Sequence, residues 1–542
     1  MPATHEVTNQ APPLYGFDAA AYPAMWDGLA TVDADTDELH QLGRLAGGEQ
    51  AQEWGRLAEQ NPPVLRTHDR YGHRIDEVEF HPHWHDLMTV AVENGLHAAP
   101  WADDRPGAHA VRAAKNFVWT LTDPGHICPI SMTYAAVPAL REQQDLAKTY
   151  EPLLASRVYD YGLREPTSKR GLIAGMSMTE KQGGSDVRAN TTSAQPNPDG
   201  SYRIVGHKWF TSAPMSDVFL TLAQAPGGLT CFLLPRVLPD GTRNAIHLQR
   251  LKDKLGNRSN ASSEIEYDGA LGWLVGEEGR GVNTIIQMVN LTRLDCTIGS
   301  AAGMRAGVLH AVHHARHRSA FGATLIDQPL MTNVLADLAL EAEAATVSAM
   351  RLAGAVDRSL AGDEHESLLR RIGLAVMKYW VCKRAPAHAA EALECLGGNG
   401  YVEESGMPRL FRESPLMSIW EGSGNVAALD ALRAMAKLPS SVEAFFAELD
   451  TVSGVDSRLD DAVARLRKEL SNLDDIQYRA RHVVESMAMV LQGAWLHRHG
   501  HPAAADAFCA SRLGGDWGVA FGTLPTGVDT ATLIERGGPV GA

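Results

Sequence analysis

The sequence is short of cysteine, of positive charge and of long apolar runs. Only six cysteines occur in 542 residues (Cys128, Cys231, Cys296, Cys382, Cys395 and Cys509), and none stand in C-x-x-C spacing. That scatter argues against a disulfide framework or a zinc module and fits buried thiols in a reducing compartment. No apolar stretch approaches the roughly 18 residues that a membrane span needs. The first thirty residues lack a basic start followed by an apolar core, so a cytoplasmic protein without membrane contact is expected. Lysine and arginine number 49 against 65 aspartate and glutamate, a formal charge of −16. Wholesale coating of nucleic acid is therefore disfavoured, and any basic partner surface has to be local. Gly276-Glu-Glu-Gly-Arg-Gly281 is not G-x-G-x-x-G and has no βαβ context, so a Rossmann reading fails and a turn into a helix is expected.

What is present is an ordinary globular balance, 44% apolar and 21% charged, over a length suited to about three to four domain-sized units. Residues 1–35 show no sustained period and read as an N-terminal arm, packed on a neighbour or loose. From Asp37 the spacing of Leu39, Leu42 and Leu45, then Trp54 and Leu57, predicts two helices, stopped by Asn61-Pro62-Pro63. Helical pattern continues to about Leu172, giving an α-helical domain over 36–177. Short alternating runs (202–211, 218–223, 229–234, 246–251 and 263–267) predict a small antiparallel β domain over 178–281. Three long helices follow, about 282–319, 328–356 and 366–396, with Pro386 expected to kink or split the third. They predict an antiparallel bundle over 282–437. Helical spacing at Val463, Leu466 and Leu470, then Val483, Met487 and Val490, predicts a further helical domain over 438–542. The fold class is α+β.

The histidines of Phe80-His-Pro-His-Trp-His-Asp86 flank a proline, which favours a helix entry over a metal nest. His313, His314 and His317 sit on a long helix with no acidic partner at ligand spacing. His497, His499 and His501 read as surface residues rather than ligands, so no metal is expected.

Three stretches carry chemistry. The loop Met178-Thr-Glu-Lys-Gln-Gly-Gly-Ser-Asp-Val187 puts Thr179, Gly183, Gly184 and Ser185 between an apolar run and the strands. Adjacent glycines let backbone approach a flat ligand and offer bare N–H donors, although a ligand-free corner has the same composition. Gly206-His-Lys-Trp-Phe-Thr-Ser212 places Trp209 beside Thr211 and Ser212, suited to a flat ring or simply to a core. Ile419-Trp-Glu-Gly-Ser-Gly-Asn425 offers Glu421 among apolar neighbours. Taken alone, Glu421 could equally cap the helix beginning near Asn425.

Together these stretches resemble the acyl-CoA dehydrogenase superfamily. M-T-E-x-x-x-G-S-D is similar to its flavin loop, W-x-T to its isoalloxazine-flanking strand, and E-G-S to its E-G-T/S segment. Glu391 to Glu404 holds a Gly-Gly-Asn-Gly-Tyr401 element similar to the family's G-G-x-G-Y. Lys181 and Gln182, where most members have T-E-P, resemble the AidB branch, associated with the response to DNA alkylation. The resemblance covers about residues 40–437, and the AidB-like resemblance nearly the whole chain. It implies FAD held by Met178, Thr179, Gly183, Gly184, Ser185, Val187, Trp209, Thr211, Ser212, Trp420, Gly422, Ser423 and Asn425. It also implies Glu421 as the base that takes the α-proton of a thioester while hydride leaves to the flavin.

Arg318-Ser-Ala-Phe-Gly322 with Gln328 is similar to the family's R-x-x-F-G…Q. That likeness implies Arg318, Phe321 and Gln328 reaching FAD of an adjacent subunit in a homotetramer. A plain helix C-terminus is the alternative for Arg318. The AidB likeness implies binding of double-stranded DNA and limitation of alkylation damage, with acyl-CoA or an alkylating small molecule as ligand. Candidate DNA contacts are Arg433 and Lys437, one turn apart, and the run Arg465, Arg467, Lys468, Arg479 and Arg481. Against them, residues 438–542 hold 9 basic and 14 acidic residues, so a solvated amphipathic face stays open. A conventional acyl-CoA dehydrogenase and a non-catalytic DNA-binding flavoprotein are the rival readings.

Overall fold

The computed structural model describes residues 4–30, 32 and 36–540. The expected arm over 1–35 falls partly outside these residues, and so do the last two residues of the expected C-terminal segment. The chain divides into two compact units, one comprising residues 50–108 and 122–295, the other the remainder.

The first unit is built on a β-barrel. A hairpin, β1 (Val64–His68) and β2 (Arg74–Glu79), precedes it. This hairpin was not anticipated; its alternately half-buried residues lie between Pro63 and Pro82, both of which block helix. Helices Pro82–Glu93, Ile127–Leu140 and Gln144–Leu154 follow. The helical run expected to reach Leu172 stops at Leu154, because the next stretch contains Gly162, Pro166 and Gly171. His81 caps the helix Pro82–Glu93 and accepts from the His83 N–H, while His83 Nδ1 pairs with Asp86 at 2.8 Å. The stretch is a helix entry, as its proline predicts.

The main sheet holds β3 (Ala174–Ser177), β4 (Ser193–Pro196), β5 (Tyr202–Ser212), β6 (Val218–Ala225), β7 (Gly228–Pro235), β8 (Ile246–Leu251) and β9 (Ser262–Val275). The ladders β4–β5–β9–β7–β6–β4 close on themselves, with β3 added to β6 and β8 to β9. Ile204, Phe232, Leu234, Leu248, Ile265 and Tyr267 fill its interior. The pairing is mainly antiparallel, as expected, but β3 and β4 pair β6 in parallel. A parallel pair needs a long crossover, and here the crossover from Ser177 to Val218 contains the glycine-rich loop and Trp209.

The second unit is helical. Its long members are the part of Gly281–His317 from Cys296 onward, Pro329–Leu360 and Glu364–Glu394. Pro386 does not split the third: the helix stays continuous through it, with Ala385, His388, Ala389 and Ala392 buried on either side. Gly424–Lys437 and the C-terminal helices Ser440–Asp450, Ser457–Leu470, Ala480–His499, Pro502–Phe508 and Thr530–Gly537 also belong to it. Buried ion pairs tie the C-terminal segment to the long helices: Arg351–Glu448 at 3.0 Å, Arg512–Asp337 at 2.5 Å and Arg536–Glu343 at 2.7 Å. The N-terminal residues, read from sequence as loose or lying on a neighbour, fold onto their own chain. Leu14, Phe17 and Tyr22 are buried, and the Arg305 guanidinium stacks 4.1 Å over the Tyr22 ring. Among the described residues no helix is long and apolar enough to cross a membrane.

Candidate functional site

The glycine-rich loop owes its shape to a buried ion pair that sequence reading missed. Glu180 and Lys208 are fully buried and 3.0 Å apart. The Glu180 carboxylate also accepts from the backbone N–H groups of Thr191 at 2.7 Å and Thr192 at 3.1 Å. Burial pushes its pKa up, but the Thr191 N–H, the Lys208 ammonium and Thr192 outweigh that and hold it at about 2. The Lys208 ammonium donates in addition to the Leu222 carbonyl at 2.7 Å. A lysine two residues from Gly206 and four from the buried Ile204, on the inward side of β5, was the available signal. The pair welds the loop to β5 and β6.

On that frame the expected residues cluster. The Trp209 N–H donates to the Thr179 carbonyl at 2.8 Å. Asn190 Nδ2 donates to the Met178 carbonyl at 2.9 Å. Thr211 is buried with its hydroxyl 2.6 Å from that of Ser177, and Ser212 Oγ lies 3.3 Å from Ser262 Oγ. Gly184 is required: a Cβ there would lie 2.4 Å from Thr179 Oγ1. Gly183 and Val187 are half-buried and Ser185 is exposed on the loop. Trp209 is not a core residue. Its ring is half-exposed, with the Lys252 ammonium 3.4 Å from its centroid and Lys181 5.5 Å away. Lys252, unforeseen from sequence, is itself held by Glu264 at 2.6 Å.

In the helical unit the second cluster is a strained turn. Glu421 has φ +55° and Gly422 φ +97°. Left-handed backbone at a glutamate costs roughly 1 kcal/mol and is kept only where surroundings impose it. The buried Lys378 imposes it, donating to the carbonyls of Trp420 at 2.9 Å and of Gly422. Trp420 Nε1 rests on Met417 Sδ at 3.3 Å. Ser423 takes the N-cap position of the following helix Gly424–Lys437, with no side-chain cap bond, and Glu421 stands outside that position. Asn425 Oδ1 accepts from Arg481 Nε at 2.9 Å.

The third cluster is a two-stranded hairpin, Ser319–Ala320 against Ala323–Thr324. Phe321 at its tip has φ +53° and is fully exposed. Gln328 Nε2 donates to the Ala320 carbonyl at 3.0 Å and Arg318 Nη1 to the Asn9 carbonyl at 2.8 Å. Arg318 directly follows the helix Gly281–His317, its backbone N–H donating to the His314 carbonyl at 3.0 Å.

The candidate DNA contacts are mostly engaged within the chain. Arg433 Nη1 lies 3.3 Å from Asp430 Oδ1, Arg467 pairs with Asp450 at 2.7 Å, and Arg479 donates to the Asn472 carbonyl at 2.6 Å. Arg465 donates to the Leu513 carbonyl at 3.2 Å. Lys437 and Lys468 are exposed. The histidines expected at the surface are half-buried: His497 lies 3.4 Å from the buried Cys509, and His501 caps the helix Pro502–Phe508.

Comparison with known proteins agrees with this layout. Residues 9–161 match the adaptive response protein AidB N-terminal domain, 175–270 the acyl-CoA dehydrogenase middle domain and 279–436 the acyl-CoA dehydrogenase C-terminal domain. AidB of Escherichia coli (strain K12) is 45% identical over 527 residues, spanning 95% of this chain and 96% of that protein. The crystal structure of Caenorhabditis elegans ACDH-11 in complex with C11-CoA superposes with a TM-score of 0.86 at 28% identity, covering 99% of this chain and 93% of that one. An acyl-CoA dehydrogenase from Bacillus anthracis complexed with FAD shares the fold at a TM-score of 0.63 and 19% identity, covering 79% and 80%. The chain belongs to the acyl-CoA dehydrogenase family, in the branch that carries the AidB N-terminal domain.

Proposed function

We propose that the chain holds FAD and oxidises the Cα–Cβ bond of an acyl-CoA thioester, with Glu421 taking the α-proton. The observation that carries this reading is the Glu421 turn. A carboxylate outside the helix cap, at φ +55° and clamped through both neighbouring carbonyls by Lys378, is positioned at an energetic cost that capping or packing would not require. The residues present fit FAD. Trp209 offers a half-exposed aromatic face, Gly184 leaves room where any side chain would collide, and Thr211 keeps hydroxyl acceptor capacity beside Ser177. Met178, Thr179, Gly183, Ser185, Val187, Ser212, Trp420, Gly422, Ser423 and Asn425 line the same two segments. When bound, FAD supplies the two-electron acceptor for the β-hydrogen. Glu421 accepts the proton. Arg318, Phe321 and Gln328 are assigned to the FAD of a neighbouring subunit in a homotetramer, a role favoured by the fully exposed Phe321. A reducing cytoplasm suits six buried cysteines that form no disulfide among the described residues.

The test is anaerobic mixing of purified protein with saturated acyl-CoAs of graded chain length. Flavin bleaching at turnover-like rates, slowed about 10²–10⁴-fold by Glu421→Gln with FAD still bound, supports the reading. No bleaching with any thioester sinks it.

A second reading is favoured by the near full-length likeness to E. coli AidB. In it the chain binds duplex DNA through Arg433, Lys437 and the stretch 465–481 and limits alkylation damage. The intrachain pairs of Arg433, Arg467 and Arg479 would have to be exchanged for phosphate, which lowers the net gain. Duplex affinity should then fall with salt at about −0.9 per phosphate contact on a log–log plot, and neutralising Arg433 and Lys437 should flatten that slope. An unchanged slope removes those two residues from the interface.

A further inference from the structure

Asp456, His497 and Cys509 come from three separate elements and aim at one point. Asp456 caps the helix Ser457–Leu470, His497 lies in the last turn of Ala480–His499, and Cys509 opens the π-helical turn Cys509–Leu513. Cys509 Sγ is 3.4 Å from His497 Nε2, and the same nitrogen is 3.7 Å from Asp456 Oδ2; all three atoms lie within 4.8 Å of one another. Cys509 is fully buried, and the other two side chains are 9% and 13% exposed. An imidazole nitrogen has one in-plane position, a single lone pair or a single N–H. It can bond only one of the two at a time, while the Cys509 thiol also reaches the Asp456 carboxylate. One cation among the three would be ligated by all of them at once.

We propose that Asp456, His497 and Cys509 form a binding site for a divalent transition cation, zinc in the first instance. Ligands about 2.0–2.3 Å from zinc are about 3.3–3.8 Å apart on a tetrahedron, the range of the two measured edges. A thiolate, a carboxylate and a neutral imidazole balance the 2+ charge, and the sulfur and nitrogen donors select a borderline ion over magnesium or calcium. Arg458 already orients the carboxylate, its Nε 3.0 Å from Oδ1 and its Nη2 2.5 Å from Oδ2. A carboxylate has about four acceptor positions, so Oδ2 can keep Arg458 and still ligate. Arg458 also reaches Asp506 at 2.7 Å, which offsets its own charge. Metal binding would expel the Cys509 proton and staple three C-terminal helices. This site is independent of the flavin reading.

The experiment is titration of the full-length, chelator-treated protein with Zn²⁺ and Co²⁺, the cobalt spectra recorded as differences against the same protein without cobalt. One tight site is expected, with a thiolate-to-cobalt charge-transfer band. Cys509→Ser should abolish that band, and His497→Gln and Asp456→Asn should each weaken zinc binding about 10–100-fold. Asp456→Asn keeps a competent helix cap, so it stays informative if Cys509→Ser does not fold. Absence of micromolar binding, or binding unmoved by His497→Gln and Asp456→Asn, overturns the site. Cobalt bound without the charge-transfer band overturns it too.

Discussion

The ammonium of Lys378 grips the peptide carbonyls on either side of Glu421, so a lysine on one helix fixes the backbone that carries a carboxylate. Lys378→Met leaves two carbonyls without their donor, at about 1–3 kcal/mol each where they are shielded from water. Turnover with acyl-CoA is expected to fall about 10–100-fold in kcat with a smaller change in KM. In the Glu421→Gln background the same substitution should add little further loss of rate. Full additivity would show that Lys378 acts elsewhere.

Glu421→Gly separates fold from chemistry. Glycine adopts φ +55° without penalty, so thermal stability is expected to hold or rise, by up to about 1 kcal/mol. Catalysis should be lost. A destabilised variant would mean that the Glu421 side chain contributes to packing more than its backbone costs.

Stability in acid should depend on Glu180. Its pKa lies at about 2 in the folded chain against an ordinary 4.5. A depressed carboxylate stabilises the fold above its ordinary pKa and loses that contribution as pH falls through the folded value. Glu180→Gln should therefore cost on the order of 3 kcal/mol at neutral pH, a difference that shrinks between about pH 4.5 and pH 2. Equal losses at pH 7 and pH 3, read from denaturant midpoints, would contradict the assignment.

Phe321 touches little in its own chain and sits in left-handed backbone. Phe321→Gly should leave the subunit's own folding within about 0.5 kcal/mol. If the hairpin reaches a neighbour's cofactor, the same change should weaken FAD retention and shift the oligomer toward smaller species in sedimentation. Unchanged retention and assembly would confine the hairpin to solvent.

Much of this architecture was legible in the sequence. Alternation marked β5 to β8 nearly to the residue, and 3.6-residue spacing marked the long helices, because both signals lie within one element. The E-G-S-G and glycine-rich segments could be located for a related reason: turns need particular residues at particular steps. The hairpin β1–β2 escaped because runs of five and six residues between prolines carry too little period to distinguish strand from coil.

Sequence alone determined the longer strands, the long helices and the glycine-bearing turns, and where the chemistry-bearing residues stand along the chain. Only the tertiary structure decided their partners: Glu180 with Lys208, Lys378 around Glu421, His497 with Cys509, and the arginines of the basic run with nearby acids and carbonyls. Chirality and side-chain alternation act over a few residues and are written locally. Burial and charge pairing join groups 28 residues apart for Glu180 and Lys208, and 42 for Lys378 and Trp420, and are settled when the packed elements leave each buried charge one place to go.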